Sequence, residues 1–197
     1  FTEPLKDRVV LPLTGSYAEN DHVIGHELVH LFQFDIAQRF ATRGQNGLGY
    51  LPLWFIEGMA EYLSLGRNDP NTAMWMRDVV LRNKIPTISD ISSDQRYFPY
   101  RFGQALWAYI AGTWGDDVVP KLYRSALRGG LDNALRVTLS RDDDKLSAEW
   151  ATALRAIYSS PMASRAKPTA VGKNLLPIDD ETMDIAPSIS PDGRLMI

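Results

Sequence analysis

The sequence predicts an α+β domain that is mainly α-helical, with one small β element near its N-terminal end. Three observations predict it. Apolar residues recur at helical spacing in successive stretches between Asp21 and Tyr158. Glycine and proline punctuate those stretches, notably at Gly44, Pro52, Gly66, Pro70, Gly115 and Gly129-Gly130. A compact apolar run, Val9-Val10-Leu11 closed by Pro12, reads as a short strand.

Taken in order, Asp7 to Leu13 forms the expected strand. Ser16 to Glu19 fits a capping box, with Asn20 and Asp21 as further N-caps, so a helix is expected from about Asp21 to Thr42, stopping near Gly44. Its apolar residues, among them Ile24, Leu28, Phe32 and Phe34, occupy more than one stripe, which predicts a largely buried helix. Gln45 to Tyr50 is a Gly-rich loop. A second helix is expected from Pro52, a favoured first position, to Leu65 before Gly66. Asp69-Pro70 opens a third, ending near Lys84, and Ile85 to Pro99 reads as irregular. Further helices are expected over Arg101–Trp114, Asp116–Leu127 and Asp143–Tyr158. The chain thus divides into a domain over 1–158 and a proline-rich linker or tail over 159–197, where Pro161, Pro168, Pro177, Pro187 and Pro191 fall without helical period.

The composition excludes several functions. The 197 residues include 45% hydrophobic and 23% charged side chains, enough to build a core. A net charge of −3 argues against a broad nucleic-acid face. With no cysteine there is no disulfide, thiolate metal site or thiol nucleophile. No apolar run approaches the roughly 18 residues that span a bilayer. The chain starts at Phe1, which predicts a processed or excised piece.

The chemistry concentrates in His26-Glu27-Leu28-Val29-His30. On a helix, residues four apart share a face, so the two imidazoles can reach one zinc ion at about 2.0–2.1 Å each. Glu27 sits beside that ion and can move a proton from an activated water to a leaving amine. Without a partner, such polar groups in an apolar helix would cost several kcal/mol. His22 lies about 12 Å along the axis from His30, too far to share the ion; it either lines the helix N-terminus near the site or, the favoured expectation, lies at the surface. The third ligand is expected from Glu57, in the apolar run Leu53 to Tyr62, completing a His2Glu set. Glu61, one turn on, can accept the N–H of a ligating histidine.

These residues resemble the gluzincin peptidases, in which an H-E-x-x-H helix is followed by a helix carrying E-G-x-x-x-Y. The matching run here is Glu57-Gly58-Met59-Ala60-Glu61-Tyr62. The run Pro99-Tyr100-Arg101-Phe102-Gly103 resembles their P-Y-x-K-G segment, with Phe102 in place of the lysine. The resemblance makes Tyr100 the oxyanion donor, Tyr97 and Tyr109 being alternatives. It implies a zincin-like fold, one Zn2+ ion and a peptide or protein substrate. No G-x-M-E-N run precedes the zinc helix. The strand Val9 to Leu13 can instead act as a sheet edge for an extended peptide, which favours an endopeptidase.

A closer similarity, over residues 5 to 157, is to the peptidase-MA-like domain of large bacterial envelope proteins, which often precedes a TolB-like β-propeller. Pro187 to Ile197, with its Ser-Pro-Asp-Gly-Arg turn, resembles the first strand of a propeller blade, so the natural protein is expected to continue. That resemblance implies a periplasmic or secreted location. Two rival readings are a catalytically silent zincin-like domain serving binding or assembly, and a zinc hydrolase of a non-peptide amide.

Overall fold

The computed structural model describes residues 1–3, 8–40, 47–166, 168–173, 175 and 187–196. They fall into two compact units, Phe1–Ala163 and Ser164–Ile197. The first is mainly helical, with a small N-terminal β element. Among the described residues that element is one antiparallel pair, β1 (Thr2–Glu3) and β2 (Arg8–Val9). The expected strand to Leu13 is therefore cut short, and its start at Asp7 lies outside the described residues. Pro12 offers no N–H to a ladder, and Leu13 is left exposed.

Helix α1 (Tyr17–Phe40) begins four residues before the expected Asp21, since Ser16 is the residue that caps it. Its expected end near Gly44 lies outside the described residues, as does the start of the Gly-rich loop. Gly47–Tyr50 forms a 3-10 turn. The largely buried α1 that the sequence predicts is not found. Ile24, Leu28 and Phe32, one turn apart, form an exposed stripe that no described element covers.

Helix α2 (Leu53–Leu65) starts after Pro52 and ends at Gly66, whose φ of 80° suits glycine. Helix α3 (Pro70–Leu81) is capped by Asp69, which accepts from the Thr72 N–H at 2.7 Å. The stretch read as irregular contains α4 (Ile88–Ser93), nucleated by a reciprocal capping box between Thr87 and Asp90. Helices α5 (Pro99–Trp114) and α6 (Val118–Gly129) follow. An unforeseen α7 (Leu131–Leu139) comes next, burying Ala134, Leu135 and Leu139. Helix α8 (Asp143–Ala163) runs past the expected Tyr158. One proline, Pro161, removes a single intrahelical bond near its end, too little to stop a helix anchored by buried Trp150 and Leu154.

The core is aromatic. Phe55 packs on Trp107 with ring centroids 4.9 Å apart and on Tyr123 at 6.4 Å. Trp107 donates its indole N–H to the Phe55 carbonyl at 2.9 Å, and Trp54 donates to Ser92 Oγ at 2.8 Å. These bonds fix α2 against α4 and α5.

Helices α2 and α5 cross at glycine. A Cβ on Gly58 would meet the Gly103 backbone, its oxygen at 2.9 Å, and one on Gly103 would lie 2.7 Å from Gly58 Cα. Gly58→Ala is therefore expected to destabilise the fold by about 1–3 kcal/mol, overpacking outweighing the gain in helix propensity. Urea unfolding checks this; an unchanged or raised midpoint would show that the helices need no such approach.

In the second unit, α9 (Pro168–Val171) is a four-residue helix within the stretch read as a linker. Pro177 lies outside the described residues. Ile189 pairs with Met196, and the chain reverses through Ser190, Asp192 and Gly193 (φ 69°). Ser190 Oγ donates to Asp192 Oδ1 at 2.6 Å and accepts from Leu195 N at 3.0 Å. Among the described residues no helix is long and apolar enough to cross a membrane.

Candidate metal centre

Helix α1 presents His22, His26 and His30 one turn apart, and α2 presents Glu57 and Glu61 one turn apart. The helices run antiparallel, so the two rows mesh as a ladder. His30 Nε2 lies 3.0 Å from Glu57 Oε2, and His26 Nε2 lies 3.1 Å from the same oxygen. The two Nε2 atoms are 3.0 Å apart. On the next rung, Glu61 Oε1 lies 3.0 Å from His26 Nδ1 and 2.9 Å from His22 Nε2. His22, half-buried, thus lines the N-terminal part of α1 beside the site, the alternative to the surface position that the sequence favours. A buried carboxylate one turn beyond Glu57 reaches it from the neighbouring helix, and only packing reveals that.

Hydrogen-bond accounting assigns the protons. The Gln33 amide donates to the Ile56 carbonyl at 3.0 Å, so its oxygen faces His30 Nδ1 at 2.8 Å. His30 Nδ1 must then carry hydrogen. His26 Nδ1 lies 3.0 Å from the Glu61 carboxylate, whose negative charge favours hydrogen on that nitrogen although the angle falls short of a hydrogen bond. In neutral imidazoles that leaves a lone pair on each Nε2. Two such nitrogens and one carboxylate oxygen meet with 3.0–3.1 Å edges. Three lone pairs at that range repel unless a positive charge sits among them.

A metal cation fits the donor set. Two imidazole nitrogens and one carboxylate oxygen form the ligand set of an open tetrahedral zinc site, in which ligand atoms lie about 3.3 Å from each other. The observed edges are only slightly shorter, and His26, His30 and Glu57 form one of two groups of suitable ligands among the described residues. The other, His22, His26 and Glu61, also holds Arg101 Nη1 at 3.0 Å from Glu61 Oε2, a charge that opposes a second cation.

Without a metal, a proton takes the place. Burial pulls the His26 pKa down, but hydrogen bonds to Glu57 and Glu61 more than offset it and leave it raised to about 9. Burial pushes Glu57 up, yet its bonds to His26 and His30 bring it to about 2. Since His26 is raised from 6.5, its pairing stabilises the metal-free fold fully below pH 6.5 and is lost as pH rises through about 9. Glu57 acts oppositely, its share being present above pH 4.5 and lost as pH falls through about 2. Chelator-treated protein should therefore lose thermal stability between pH 6.5 and 9, and zinc uptake near pH 8 should release a proton. Melting curves, and calorimetry in buffers of different ionisation enthalpy, check both; a flat profile with no proton release would contradict the pairing.

Two further residues converge on the ladder. Tyr100, at the start of α5, stacks on His26 with centroids 5.9 Å apart and planes 15° from parallel. Burial, then the Glu57 charge, pushes its phenol up to about 12, so it remains a donor near neutrality. Glu27 Oε2 accepts from the Thr2 hydroxyl at 2.8 Å, placing β1 beside it. The strand against Glu27 is thus Thr2–Glu3, with Val9 paired to Thr2 in β2. Tyr97 packs edge-on against Phe102, and Tyr109 against Trp114.

Sequence reasoning missed Gln33 and Arg101. Gln33 is fully buried on the histidine face of α1, three residues after His30, and that spacing was its signal. Its backbone carbonyl accepts from the Tyr123 hydroxyl at 2.7 Å, tying the site to the aromatic core. Arg101 bridges Glu61 and Asp69 Oδ1, at 3.0 and 3.4 Å. It follows Tyr100 directly, but nothing local marks its partners.

No family model, curated protein or solved structure matches this chain. The functional reading rests on the geometry of the ladder.

Proposed function

We propose that this chain is a zinc-dependent peptidase domain of zincin-like, gluzincin type, cleaving internal peptide bonds. The observation that carries the reading is the convergence of His26 Nε2, His30 Nε2 and Glu57 Oε2 as three lone-pair donors, Glu27 being the residue that follows His26 on α1.

A zinc ion held there would polarise a water molecule and the carbonyl of a scissile peptide. Glu27 then takes a proton from the attacking water and passes it to the departing amine. Tyr100 donates its O–H to the oxygen on which negative charge develops. Glu61 and Gln33 fix the tautomers of His26 and His30. Glu61 remains ionised: burial raises its pKa, but His26, His22 and Arg101 hold it below the usual carboxylate value.

The test is hydrolysis of a library of end-blocked peptides by zinc-loaded protein, with and without a chelator. Chelator-sensitive cleavage at internal bonds is expected. Strict dependence on a free amine would reject the endopeptidase reading, and no cleavage by folded, zinc-loaded protein would reject the peptidase.

One observation favours a second reading, a zincin-like domain that keeps its metal for binding or assembly. The Thr2 hydroxyl already occupies Glu27 Oε2. The hairpin around Asp192-Gly193 supports reading that stretch as the opening of a propeller blade in a periplasmic or secreted envelope protein.

A further inference from the structure

The ladder has two rungs of similar make. On the first, His26 Nε2, His30 Nε2 and Glu57 Oε2 converge. On the second, His22 Nε2 and His26 Nδ1 lie 2.9 and 3.0 Å from Glu61 Oε1, and these three residues are also spaced to hold a metal ion. A guanidinium sets the second rung apart. Arg101 Nη1 lies 3.0 Å from Glu61 Oε2 and 3.4 Å from Asp69 Oδ1.

The surroundings make that guanidinium the equivalent of a bound cation. The Glu61 and Asp69 side chains are only 4% and 8% exposed, so water does little to screen them. Two carboxylates directed at one point in such a setting need positive charge between them. Arginine supplies it permanently, whereas an imidazole bound to zinc is neutral. Neither carboxylate is free to turn aside. Asp69 Oδ1 also caps α3 by accepting from the Thr72 N–H at 2.7 Å, and Glu61 Oε1 pairs with His22. Without Arg101, two fixed carboxylates with an imidazole beside them would remain. Carboxylate and imidazole donors are a ligand set that zinc accepts.

We propose that Arg101 takes the place of a second cation and so keeps the metal centre mononuclear. Its charge leaves Glu61 as a support beside His22 and His26 instead of a ligand. The inference rests on the metal reading of the first rung and not on peptidase activity, and it concerns the difference in metal content between two proteins.

Native mass spectrometry of protein equilibrated with excess zinc tests it. The unaltered chain should carry one ion, and Arg101→Met, close in length but without charge, should carry one more. Adding His22→Ala to Arg101→Met should remove the further ion. Arg101→Gln, which keeps a hydrogen-bond donor, takes the place of Arg101→Met should that variant not fold. No ion on the unaltered protein but one on the variant would remove the metal reading of the first rung and support the role of Arg101. Equal zinc content in the two proteins, or a further ion that survives the loss of His22, would overturn the proposal.

Discussion

Glu57→Ala should yield a folded protein that no longer retains zinc through dialysis. Glu57 Oε2 lies within 3.1 Å of both His26 Nε2 and His30 Nε2, and it supplies the negative charge of that triad. Residues outside the ligand set of a zinc site are typically worth 10–100-fold in affinity. Loss of a ligand should exceed that, so the dissociation constant is expected to rise by more than about 100-fold. The fold should survive, because the adjoining aromatic core around Phe55, Trp107 and Tyr123 does not use this carboxylate. Competition against a chelating dye measures the constant, and circular dichroism checks the fold. Stoichiometric zinc at undiminished affinity would place the ion elsewhere and remove the basis of the proposed function.

Glu27→Gln should separate binding from chemistry. Glu27 is next to His26 but outside the converging triad, and its Oε2 accepts from Thr2 of β1. The amide has almost the same shape and can still accept from the Thr2 hydroxyl, but it cannot take a proton. Zinc content and melting temperature should stay near those of the unaltered protein, while peptide hydrolysis falls by roughly 10²–10⁴-fold, the usual worth of a positioned general base. Metal analysis and a peptidase assay on one preparation decide the matter. Undiminished hydrolysis would remove Glu27 from the mechanism, and loss of zinc would make it part of the binding site.

Much of the fold was legible because its signals are local. Proline at the start of α2 and glycine at its end bound that helix within a residue of the expected limits. The Asp69 cap did the same for the start of α3. Failures fell where short elements depend on context. Helix α4 rests on one capping box, and α7 is held by three side chains buried against the rest of the domain. The exposure of Ile24, Leu28 and Phe32 was illegible for a similar reason. An apolar residue records an opportunity for burial, whereas burial itself requires a neighbouring element at the right distance.

The candidate site divides along the same line. His26, Glu27 and His30 could be placed on adjoining helical positions from spacing alone, because 3.6 residues per turn sets which side chains share a face. Spacing likewise put Glu57 and Glu61 on one face of the next helix. Spacing does not determine how two such faces register. That was decided by packing: the glycine contact between Gly58 and Gly103, the indole bond of Trp107 to Phe55, and the Tyr123 hydroxyl on Gln33. Those contacts set the ladder's rungs, drew in His22 and Arg101, and left three lone pairs facing one another. Helical periodicity is a property of a single segment, while the approach of two helices is a property of everything packed behind them.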